Sequence, residues 1–326
     1  MILDKISNFL KKDYESSVLA CGFLINPYNF VDTGATRGIF GGGHSLGEIN
    51  TIDYITIATT GNAIDFGDMS VTIQQVAAVG SSTRGIFGGG SDEGNYSNTM
   101  EYVTIATTGN TTDFGDLIQA RGFHGACNST TRGFFAGGYY AGVGILKSIE
   151  YITMATLGNG TSFGDLTANR YQRLAGVNST TRGIFGGGYN GGYINIIEYF
   201  TMATTGNAID FGDLTQSRGN LDGVQSETRA IFGGGRNASS IPVNTMDYIT
   251  IATTGNATDF GDLSQEKSLT SGVGSSTRGI FGGGYASSGG NNNVIDYVTI
   301  ATTGNATDFG DLTQAKYNAG GTQNGL

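Results

Sequence analysis

Tryptophan is absent from this chain of 326 residues, proline occurs twice, and cysteine and histidine occur twice each. Cys21 and Cys127 cannot build a disulfide scaffold, so stability has to come from packing. With only His44 and His124, neither a copper site nor a histidine-based Ser or Cys triad can be assembled. Positive charge is scarce too, since 17 Lys and Arg against 27 Asp and Glu leave a formal charge of −10. That surface offers no field for phosphates, which argues against nucleic acid, and none for anionic lipid. Long hydrophobic runs are missing: Val18 to Ile25 is too short to span a bilayer. Lying after Asp13 and Glu15, it also lacks the cationic flank of a secretory signal. No cofactor, metal or catalytic residue is expected, and no membrane insertion.

What the chain has in quantity is glycine, 56 residues, together with 16 Tyr and 18 Phe. It writes one stretch, TRGIFGGG, almost unchanged six times. The arginines of the copies, Arg37, Arg84, Arg132, Arg182, Arg229 and Arg278, are separated by 47, 48, 50, 47 and 49 residues. Such a period marks a repeat architecture whose units cannot bury their apolar faces alone. Within the fifth copy, MDYITIA alternates and is rich in β-branched and aromatic residues, as a strand requires. Thr254, Gly255 and Asn256 then supply a turn, ATDFGDL a shorter strand, and Lys267 to Gly274 a weaker one. Four short strands with short connections predict an antiparallel meander. Six regular copies favour a closed ring over an open stack, which would want atypical capping repeats.

The GGG sets are followed by the pairs Asp53/Tyr54, Glu101/Tyr102, Glu150/Tyr151, Glu198/Tyr199, Asp247/Tyr248 and Asp296/Tyr297. Phe66, Phe114, Phe163, Phe211, Phe260 and Phe309 open the last strand of each unit. This pattern resembles the kelch repeat of β-propellers over Asn26 to Gln323, with Phe where kelch repeats carry Trp. It implies an all-β, six-bladed kelch-like propeller of four-stranded antiparallel blades, covering residues 26–326. The wording YITIATTGNATDFGDL also resembles repeats of tail, fibre and other virion proteins of marine bacteriophages.

The C-terminal KYNAGGTQ, Lys316 to Gln323, lines up with Arg218 to Gln225 and so reads as a first strand whose unit is otherwise missing. It is the candidate to complete the opening blade; Asn29 to Thr33 competes for the place but would bury Asp32. Residues 1–25 stand outside the repeat. Ile2, Leu3, Ile6, Phe9 and Leu10 fall at helical spacing, and the segment reads as an interaction arm.

Length variation concentrates in one connection, the loop after GGG. From marker arginine to acid the spacings are 16, 17, 18, 16, 18 and 18, whereas from acid to the next arginine they are 31, 31, 32, 31 and 31. In an up-and-down blade these loops share one face with the connections between blades. They are rich in Tyr, Ser, Gly and Asn, the residues of adaptable binding loops. Tyr139, Tyr140, Tyr189, Tyr193, Arg236 and Tyr285 are the candidate ligand-binding side chains.

Three recurring motifs admit chemical readings. The carboxylates of GNATDFGD suit a turn better than calcium, since the third copy has Ser162 where the fifth has Asp259. The GGG runs lack the Lys and helix of a phosphate loop. The marker arginines are expected to pair with repeat carboxylates across blade seams. The functional expectation is a non-enzymatic virion protein that binds a host glycan or receptor, or decorates the particle, anchored to other virion proteins through residues 1–25. The alternative is a cytoplasmic kelch-type scaffold for a protein partner.

Overall fold

The computed structural model describes residues 18–20, 23–25 and 37–324. The chain divides into two compact units, residues 1–34 and 35–326. In the first, Val18–Ala20 pairs antiparallel with Phe23–Ile25 as a small hairpin. The expected amphipathic helix and the competing Asn29 to Thr33 strand lie outside the described residues.

The second unit is a six-bladed propeller, each blade a four-stranded antiparallel sheet. In the second blade, from the axis outward, the strands are Ala77–Gly80, Arg84–Gly88, Thr99–Thr104 and Thr112–Asp116. The TRGIFGGG stretch is thus the second strand everywhere, buried on both faces, which is why it reads as a continuous apolar and glycine run. The innermost strands neighbour one another all the way round the axis. In the first blade the innermost strand is Gly320–Gln323, paired with Arg37–Gly41 from the far end of the chain. Asn324 Oδ1 accepts from the Arg37 amide at 2.9 Å, where other blades use a serine hydroxyl such as Ser81 Oγ on Arg84.

The core is a set of six clusters, each shared between two adjacent blades. In five of the six copies the residue after Phe is a glycine, and the phenylalanine of the following copy wedges over it: a Cβ on Gly41 would meet the Phe87 ring at 2.6 Å, and one on Gly282 the Phe40 ring at 2.9 Å, while the third copy carries Ala136 there. The Gly61 amide donates to the Phe309 carbonyl at 2.8 Å and Asn62 Oδ1 accepts from the Asp311 amide at 3.1 Å. The same two bonds recur at the other seams, as with Asn110 on Asp68 and Asn159 on Asp116. GNATDFGD is therefore the clasp between neighbouring blades.

The marker arginines do cross the seams, but not to carboxylates. Each stacks on the tyrosine of its own blade, 4.5 to 4.9 Å from the ring centre. Each then donates to a backbone carbonyl of the next blade: Arg37 to Ile105, Arg84 to Met154, and finally Arg278 back to Ile57. The expected pairing fails because other cations hold the acids. Lys316 binds Asp53, Arg121 Glu150, Arg170 Glu198, Arg218 Asp247 and Lys267 Asp296, all buried. These cations sit in the connection leading into each blade. In the second blade that place is held by Ile73, and Glu101 accepts instead from the Ser70 and Thr111 hydroxyls.

Candidate functional site

Two residues beyond each inner cation, or beyond Ile73, the backbone turns left-handed at Gln75, Phe123, Gln172, Asn220, Leu269 and Asn318, with φ of 55° to 60°. For bulky side chains such as Phe123 and Leu269 this is a costly conformation, of the kind that collects at ligand-binding sites. What holds it is a closed circle of backbone hydrogen bonds. Gln75 donates to Asn318, Phe123 to Gln75, Arg173 to Phe123, Asn220 to Gln172, Leu269 to Asn220, and Asn318 to Leu269. The circle frames the mouth of the axial channel.

The loops after GGG arrive at the same mouth. Ser91 pairs with Gln74, Tyr139 with Gly122, Tyr189 with Tyr171, and His44 with Tyr317; Arg236 pairs with Gly219 and Tyr285 with Ser268. The variable loops and the inter-blade connections thus share one face. Between them lies a well of about 360 Å³, floored by Gln75, Phe123, Gln172, Asn220, Leu269 and Asn318 and walled by Gln74, Tyr171, Tyr193, Arg236, Tyr285 and Tyr317. Small-ligand pockets run from roughly 300 to 1,000 Å³. Amide oxygens of Gln75, Gln172, Asn220 and Asn318 are buried without a hydrogen-bond partner.

Of the six residues expected from the sequence, Tyr193, Arg236 and Tyr285 line the well. Tyr139, Tyr140 and Tyr189 stand outside it in a chain of ring contacts: Tyr140 to Tyr96, Tyr96 to Tyr139, Tyr139 to Tyr171, Tyr171 to Tyr189, and Tyr189 to Tyr193, all within 6.5 Å. Opposite, Tyr285 packs edge-on to Tyr317 at 5.7 Å and the Arg236 guanidinium lies 5.5 Å over the Tyr285 ring. Burial pushes the Tyr317 phenol above its ordinary value, with Tyr285 and Glu48 adding to the shift and Arg236 opposing it. Tyr171, Tyr317 and the amide floor were missed. Their signal was position: Tyr171 and Tyr317 stand one residue past the inner cation of the fourth and first blades, and the floor residues two past the cation or Ile73.

Beneath the well the axis narrows to a cavity of about 50 Å³ lined by the innermost strands. Arg173 crosses it, bound to Asp222 at 3.0 Å and to the Ala319 carbonyl at 2.7 Å. Asp222 also accepts from the Gly223 and Gly272 amides. Desolvation raises the Asp222 carboxyl above its ordinary value, against the pull of Arg173. The pair ties four blades together across the axis. Among the described residues no three His, Cys, Asp or Glu side chains converge as metal ligands.

Comparison with protein-family models and with curated proteins finds no match, so the well is read from its own chemistry. Aromatic walls, an amide floor and one guanidinium can bind a polar ligand with apolar faces. They supply no nucleophile paired with a base.

Proposed function

We propose that this chain is a non-enzymatic recognition protein, a kelch-like propeller that binds a host-surface glycan in the well on its variable face and is anchored to a virion by residues 1–25. The observation that carries the reading is the well, with two tyrosine walls over a floor rich in Gln and Asn side chains whose backbone is held in left-handed geometry. Tyrosine faces suit the apolar side of a sugar ring and amides suit its hydroxyls, at low cost in side-chain entropy. The virion setting is supported by the wording of the repeats alone.

The test is a glycan array probed with the full chain, followed by titration of Tyr193→Ala and Tyr285→Ala. At least one saccharide class should bind, and each substitution should weaken it about tenfold or more with the melting temperature unchanged. A chain lacking residues 1–25 should keep that binding and lose incorporation into particles. Silence across the array would sink the glycan reading.

A further inference from the structure

Arg236 is the one formally charged side chain among the residues lining the well, in a chain whose net charge is −10. Its place in the repeat is taken by His44, Ser91, Tyr139, Tyr189 and Tyr285 in the other blades, so the cation belongs to this blade alone. It differs from the buried cations beneath it. Arg121, Arg170, Arg173, Arg218, Lys267 and Lys316 each hold a carboxylate, while Arg236 forms no ion pair among the described residues. Its Nε donates to Ser268 Oγ at 3.3 Å and its Nη1 to the Ser240 carbonyl at 3.4 Å. Its Nη2 has no partner among the described residues.

The guanidinium is also pre-positioned. It is half-buried, lies over Tyr285, and Tyr285 is itself braced by Tyr317. A planar fork held this way loses little freedom when it engages a planar or tetrahedral anion. Glu48 stands at the rim, half-buried and bonded to Gln74 at 2.9 Å, and lines no part of the well. Its charge turns an anionic group away from the His44 side and toward Arg236.

We infer that the saccharide bound here is acidic, and that its carboxylate or sulfate lies on Arg236 while a sugar ring packs between the tyrosine walls. The inference rests on the glycan reading above and narrows it to a chemical class. A well of this size takes a terminal sugar rather than the interior of a long chain, so the acid sits on the terminal residue.

The experiment titrates the full chain with matched saccharides of one backbone in neutral, carboxylated and sulfated forms, at low and raised salt. An acidic form should bind about tenfold tighter than the neutral one, the range of a charge-assisted hydrogen bond, and lose that margin in salt. Arg236→Gln should abolish the preference and Arg236→Lys restore part of it. Lys147→Gln removes an equal charge from an exposed pair with Asp165 and should leave the preference intact. The carboxylated and sulfated arms identify which anion is read. Equal binding of neutral and acidic forms, or a preference that survives Arg236→Gln, overturns the acid assignment and leaves glycan binding standing. No binding to any form overturns both.

Discussion

At the scale of single residues, His124 carries a consequence for pH. It is buried against Phe135, and neither ring nitrogen has a hydrogen-bond partner. Desolvation, then the charges of Arg121 and Arg173, hold its pKa well below the ordinary 6.5. The folded protein keeps the ring neutral where the unfolded chain binds a proton. Stability therefore falls as the pH drops below about 6.5, by up to about 1.4 kcal/mol per pH unit for this one group. Chemical denaturation of His124→Phe between about pH 5 and pH 7 should show a slope shallower than that of the parent, by a difference that grows toward about one proton as the pH approaches 5. An unchanged slope would mean that the buried ring is protonated after all.

At the scale of the element, five of the six inter-blade connections are pinned to the third strand of the blade they enter by a buried cation. Arg218 shows the arrangement in full, bonded to Asp247 and to the carbonyls of Phe232, Gly234 and Thr245. Asp247→Ala leaves that guanidinium buried without its counter-ion and should cost about 3–5 kcal/mol, read from urea unfolding. The blades, their strand order and the shared loop face were legible in the sequence because each is written six times. The cation–acid pairs were not, because the conspicuous TRG arginine drew the assignment and its true acceptors, backbone carbonyls such as Ile57 and Ile105, leave no mark in a sequence. The well was half legible. Tyr193, Arg236 and Tyr285 sit in the variable loops, whereas Tyr171 and Tyr317 come from connections that reach the same mouth only through bridges such as Tyr189 to Tyr171. The Arg173 crossing did have a trace: the one spacing of 32 residues, from Glu150 to Arg182, contains the extra residue that puts Arg173 on the axis.

At the scale of the whole molecule, no blade is self-sufficient, since every apolar cluster draws on two of them and the seam bonds run in an unbroken circuit. The segment that closes the circuit is Gly320–Gln323, with Lys316 locked to Asp53 just before it. Deleting residues 316–326 should abolish the cooperative thermal transition and expose a sticky sheet edge, and an added peptide of residues 312–326 should restore part of it. Calorimetry with and without the peptide checks this. The meeting of Asn324 with Arg37 has a wider meaning for how the polypeptide is threaded. At that spot a hydrogen bond stands where every other blade carries a peptide turn, so in a chain without residues 1–36 a short linker from Asn324 to Arg37 would make the ring covalently continuous. Opened instead at one of the five remaining turns of the same kind, that ring should fold to the same six blades, which a circular permutant and its melting curve would check.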